Sequence, residues 1–123
     1  MLCKASLFGD DITFEAIKQA KTPAKCKKFG RQVRGFRDEK WYRYICSIAL
    51  AAVYCKFSQI ADIKDILLGT GKNLIAEAAP DDKIWGIGLP MNSMEIQEPI
   101  RWRGMNILGW ALMEARMIIS TSV

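Results

Sequence analysis

The sequence predicts a mainly α protein, a compact bundle of non-parallel helices around one central helix, with a long loop at about 80–104. Three observations predict it. Apolar residues recur at helical spacing in six stretches. Of the 123 residues, 50% are apolar and 25% charged, an ordinary globular composition at a length typical of one domain. Pro80, Pro90 and Pro99, with Gly86, Gly88 and Gly104, concentrate the breakers in a single segment.

Residues 2–8 read as the last turns of a helix, apolar at Leu2, Ala5 and Phe8 and without a capping residue. Gly9 stops it, and Asp10 or Asp11 can cap a helix over about 12–20. Pro23 suits the first turn of a short helix running toward Gly30. Asp38 is a plausible N-cap for the longest helix, about 39–57. Trp41, Ile45, Ile48 and Ala52 share one face of it, and Leu50, Val53 and Tyr54 widen the apolar surface, the mark of a central helix. A further helix over 60–68 ends at Gly69-Thr70-Gly71. Leu74 to Ala79 fits a short helix or a strand, and the pattern does not choose between them. After the proline-rich loop, a closing helix covers about 105–119.

The chain contains no histidine, which excludes Ser-His-Asp and Cys-His catalysis and histidine metal sites. Its formal charge is +5, but residues 18–43 alone carry +8 and the remainder −3. So uneven a distribution sets a positive field over one side, suited to a phosphate-bearing ligand or nucleic acid; a solvated helix face is the plainer account. Within the segment, Lys27 and Lys40 are assigned to that solvated face. Cys3, Cys26, Cys46 and Cys55 form no CxxC pair and are expected as reduced thiols. Lys4, Asp10 and Asp11 interrupt any leader-like run, and Tyr44 to Cys55 falls short of a membrane span. A soluble cytoplasmic protein with no membrane partner, no metal and no cofactor is expected.

Three constellations can carry chemistry. On the last helix, Asn106, Gly109, Met113 and Arg116 are spaced to share a face, so that something polar could approach the backbone at Gly109. A helix contact through Gly109, with Asn106 capping a loop, explains the same spacing. In Asp81-Asp82-Lys83-Ile84-Trp85-Gly86-Ile87-Gly88, an indole beside glycines offers a stacking surface, and a carboxylate can orient water or stabilise positive charge. An aspartate-capped turn with Trp85 in the core is the structural alternative. Lys4, flanked by Leu2, Cys3, Ala5, Leu7 and Phe8, could be desolvated into a neutral, nucleophilic amine, or could extend to water.

Taken in order, these pieces resemble the NADAR, or YbiA-like, family. The matching elements are Lys4-Ala5-x-x-Phe8-Gly9-Asp10, Pro23-Ala24-Lys25, Gly30-Arg31-x-Val33, Trp41, Lys56-Phe57-x-Gln59, Leu67-Leu68-x-Thr70-Gly71 and Glu77. They continue with Asp82-x-x-Trp85-Gly86-Ile87-Gly88 and Trp102-x-Gly104-x-Asn106-x-Leu108-Gly109-x-x-Leu112-Met113-x-x-Arg116. The set spans nearly the whole chain, so residues 1–123 are expected to form a single domain of this kind. Two departures stand out. Relatives carry a further segment before the Lys4 helix, with a glutamate two turns earlier, and Ile60-Ala61 stands where the family has Asn-Pro.

The resemblance implies an N-glycosidase that hydrolyses ribosyl-phosphate or ADP-ribosyl compounds, among them riboflavin-pathway intermediates and ADP-ribosylated guanine, with ADP-ribosylated nucleic acid as a further partner. It implies catalytic roles for Lys4 and Asp82 and substrate binding by Trp85, Gly86, Arg31, Asn106, Gly109 and Arg116. The rival is a catalytically impaired module that binds an ADP-ribose-like nucleotide or nucleic acid.

Overall fold

Residues 1–122 are described by a computed structural model, and among them the regular structure is entirely helical. The chain forms two compact units, Met1–Ile45 and Cys46–Val123.

In the first unit, α1 (Leu2–Leu7) has no side-chain cap, and Gly9 turns the chain with φ of 67°. The buried Asp10 caps α2 (Asp11–Gln19) by accepting the Thr13 N–H. Thr22 caps α3 (Pro23–Arg31) with Pro23 in its first turn, where the missing N–H costs nothing. Ala5, Ile17 and Val33 make the core, with Phe8, Phe14, Cys26 and Phe29 packed around it. α4 (Asp38–Gln59) begins here. Asp38 is the first residue of this helix rather than its cap, and its carboxylate favours the positive end of the helix dipole.

In the second unit the burial on α4 is a stripe at i, i+4 spacing. Ala49 and Val53 are buried while Ala51, Ala52, Tyr54 and Cys55 are exposed. Of the residues expected to widen the apolar surface, Leu50 is half-buried and Tyr54 lies open. α5 (Ala61–Gly69) buries Leu67 and packs against α6 (Ile107–Thr121), which buries Ile107, Gly109, Ala111, Ala115 and Ile119. Residues 74–79, open between helix and strand in the sequence, form neither. The long loop holds two short 3₁₀ turns, Met94–Gln97 and Pro99–Arg101, and buries Ile87 and Leu89 almost completely. Each such side chain is worth about 1.5–3 kcal/mol of transfer free energy, so the loop is anchored like an element of core.

All four cysteines are free, with Cys26 half-buried and the others exposed. Among the described residues no single helix is long and apolar enough to cross a membrane.

Candidate functional site

The loop Asp82–Gly88 owes its shape to main-chain bonds. The carbonyls of Lys83, Ile84, Trp85, Gly86 and Ile87 accept from the N–H groups of Met105, Ile107, Leu108, Asn106 and Arg103, at 2.8–3.2 Å. The first N–H groups of α6, which every helix leaves without internal partners, are satisfied by the loop in this way. Such close approach needs bare backbone. A Cβ on Gly86 would meet the Glu77 carbonyl oxygen at 2.8 Å, and one on Gly104 would strike the Gly86 carbonyl oxygen. The glycines therefore interlock two strands of loop rather than supply flexibility.

Asp82 is half-buried, and its Oδ1 accepts the N–H groups of Ile84 at 3.1 Å and Trp85 at 2.8 Å. The aspartate-capped turn, the alternative to a catalytic carboxylate, is thus present, and it fixes the carboxylate beside Trp85. Trp85 is half-buried, and Gly86 is buried.

Asn106 precedes α6 in the left-handed conformation, φ 52°, which asparagine tolerates better than most residues. It therefore stands at the start of the helix rather than within it, while its side chain lies over Gly109 as the spacing expects. Its buried side chain accepts the Glu77 N–H at 3.0 Å and donates to the Ile75 carbonyl at 2.9 Å. The polar group that crowds Gly109 belongs to the chain itself, since a Cβ there would strike the Ile75 carbonyl and the Asn106 amide. Arg116 Nη1 donates to Thr70 Oγ1 at 2.6 Å and to the Asn73 carbonyl at 3.0 Å. Asn106, Gly109 and Arg116 accordingly hold residues 70–77 against α6, and Glu77 in turn accepts the Ile87 N–H at 2.9 Å.

The first unit holds Lys4 and Arg31. Lys4 is half-buried, donates to the Gly30 carbonyl at 2.8 Å, and lies 4.4 Å from the Phe36 ring centroid and 5.7 Å from that of Trp41. Burial lowers its pKa, and the charge of Asp38 partly opposes that shift. The carbonyl and both rings favour the ammonium over the neutral amine. Arg31, exposed, lines a basic groove of about 460 Å³ with Ala24, Lys27, Lys28 and Gln32.

Lys27 is exposed, as its assignment to the solvated face expects, and lines the groove beside Arg31, whereas the same assignment for Lys40 is corrected. Lys40 is half-buried, donating to the Leu7 carbonyl at 2.8 Å with its Nζ 5.5 Å from the Phe8 ring centroid, so it caps the end of α1. Sequence reasoning also missed Arg34. Its backbone N–H and guanidinium both bond the Asp10 carboxylate, and these bonds hold Asp10 well below the usual carboxylate range. A separation of 24 residues leaves no local signal for that pair.

The NADAR domain family model matches residues 1–120. N-glycosidase R617 of Acanthamoeba polyphaga mimivirus is 40% identical over 116 residues, covering 94% of this chain and 68% of the relative. Protein irg-1 of Caenorhabditis elegans is 36% identical over 118 residues, 94% of this chain and 56% of that protein. The chloroplastic riboflavin biosynthesis protein PYRR of Zea mays is 32% identical over 117 residues, 92% of this chain and 17% of that protein.

Proposed function

The chain belongs to the NADAR family, and from that premise we propose that it is an N-glycosidase acting on a ribosyl-phosphate or ADP-ribosyl compound. Likeness to a relative named N-glycosidase over 94% of the chain carries the proposal, and the name of the PYRR relative supports riboflavin-pathway ribosyl phosphates as a substrate class. In the hydrolysis, the bond from C1′ to the base nitrogen breaks and a water oxygen bonds C1′. One water proton is taken up by a base, and the departing nitrogen gains a proton. The transition state resembles an oxocarbenium ion, so an oriented carboxylate and an aromatic wall suit it. Asp82 is assigned the carboxylate's part, with Trp85 and Gly86 as the wall. Lys4 is assigned a charged role toward ribose oxygens, because its partners favour the ammonium. Arg31 is assigned to phosphate, Asn106 and Gly109 to the shape of the loop, and Arg116 to holding residues 70–73.

The test is base release from a ribosylaminopyrimidine phosphate and from ADP-ribosyl-guanosine, followed by chromatography. Asp82→Asn keeps an oxygen for the two backbone donors and removes the charge, so a loss of about 10²–10⁴ in rate is expected. Lys4→Met is expected to abolish most turnover. A second function, a non-catalytic module binding an ADP-ribose-like nucleotide, is identified by binding without base release.

A further inference from the structure

An ammonium carries three N–H donors, and Lys4 directs one of them to the Gly30 carbonyl at 2.8 Å. No carboxylate pairs with it among the described residues. What else surrounds the half-buried group is aromatic. Its Nζ lies 4.4 Å from the Phe36 ring centroid and 5.7 Å from that of Trp41, so Phe36 is the nearer partner. Phe36 meets Phe8 at 5.2 Å and Trp41 at 6.4 Å between centroids, in tilted pairs of the kind aromatic rings prefer. Two backbone features put Phe36 there. Gly35 turns the chain with φ of 71°, and Arg34, one residue earlier, is tied to Asp10, the cap of α2.

Phe36 is 39% exposed and stands outside the core of Ala5, Ile17 and Val33, so burial of its own apolar area is a poor account of its placement. The charged groups on the surrounding elements are mostly engaged elsewhere. Asp10 and Arg34 pair with each other, Arg31 on α3 is exposed, and Lys40 on α4 donates to the Leu7 carbonyl. Asp38, in the first turn of α4, is the one whose charge opposes the effect of burial on Lys4. We propose that Phe36 is a positioning residue, whose ring face fixes Lys4 as an ammonium with a donor left over for a ribose oxygen of the substrate. The proposal rests on the catalytic role assigned to Lys4 above. Trp41, farther from Nζ, supports the same charge more weakly.

The test has two readouts. Lys4 is titrated by NMR in the full chain labelled at lysine Cε, its resonance assigned by its absence from Lys4→Met. Base release from the ribosylaminopyrimidine phosphate is followed against pH in the same variants. A lysine that acts as an ammonium gives activity that falls as pH rises through its titration. Phe36→Leu keeps apolar bulk and removes the ring, so the titration and that alkaline fall should both move to lower pH. Base release near neutrality should drop by about 2–30-fold. Phe36→Tyr keeps the ring face and should restore both. A ring-fluorinated phenylalanine in place of Phe36 keeps the shape, weakens the negative face, and should behave as Phe36→Leu does. Circular dichroism confirms folding, and if the leucine variant fails to fold, the fluorinated chain decides alone. Two results overturn the proposal: an unchanged Lys4 titration in folded Phe36→Leu, or a fluorinated chain that titrates as the parent does. A parent that releases no base removes the N-glycosidase reading, whereas the titration still decides what Phe36 does to Lys4.

Discussion

Replacing Gly109 by alanine tests the architecture behind the Asp82–Gly88 loop. Glycine inside an exposed helix ordinarily costs about 1 kcal/mol relative to alanine, so on propensity alone Gly109→Ala should stabilise. Here the new methyl group would strike the Ile75 carbonyl and both amide atoms of Asn106. Overpacking of this kind costs about 1–3 kcal/mol, and each buried partner that Asn106 abandons adds about 1–3 kcal/mol. The net expectation is a loss of about 2–5 kcal/mol. With an unfolding entropy of about 2.1 cal/mol/K per residue over 123 residues, 1 kcal/mol is about 4 °C, so Tm should fall by about 8–20 °C. Gly69→Ala is the control, because nothing lies within 4 Å of its added Cβ at the end of α5. It should leave Tm unchanged or raise it by up to about 4 °C. Thermal unfolding followed by far-ultraviolet circular dichroism reads both variants. If Gly109→Ala matches or exceeds the parent in Tm, the close contact among Gly109, Ile75 and Asn106 is wrong, and with it the account of what positions residues 75–77.

Two further perturbations address the sites directly. Trp85→Ala should weaken ADP-ribose binding by about 1–3 kcal/mol in calorimetry while the fold survives, and equal affinities would remove Trp85 from the ligand site. For Asp10, bonds from Arg34 and Thr13 depress the folded-state pKa. Its contribution to stability is therefore present above the ordinary carboxylate value of 3.8 and is lost as pH falls through that value toward the depressed one. Asp10→Asn should be less stable near neutrality, and its difference from the parent should shrink in denaturant titrations below pH 3.8. A difference independent of pH would show that the carboxylate charge contributes nothing.

What the sequence disclosed was local, and what it concealed was not. Gly9, Asp10 and Pro23 mark helix ends through backbone chemistry confined to a few residues, and the structure places ends beside all three. The long loop at 80–104 is legible because prolines and glycines cluster in it. Asn106 carried a signal that was misplaced. An asparagine directly before an apolar run often starts a helix, yet its spacing to Gly109 drew it into the helix. The bonds from Lys4 to Gly30, Lys40 to Leu7 and Arg34 to Asp10 join residues 24–33 positions apart. Only the folded chain brings such partners together, so charge pattern alone sent Lys40 to the solvent.

Because main-chain bonds set the course of Lys83–Ile87, the side chains along it are partly released from holding the fold. Lys83 is exposed, and Ile84 and Trp85 are half-buried, whereas Gly86 and Gly104 have no room for a methyl group. The segment thus combines two fixed points with a short run of side chains on which the backbone course does not depend, so substitutions at 83–85 should leave the scaffold standing. For directed evolution, diversity belongs at 83–85, and both glycines should be left untouched.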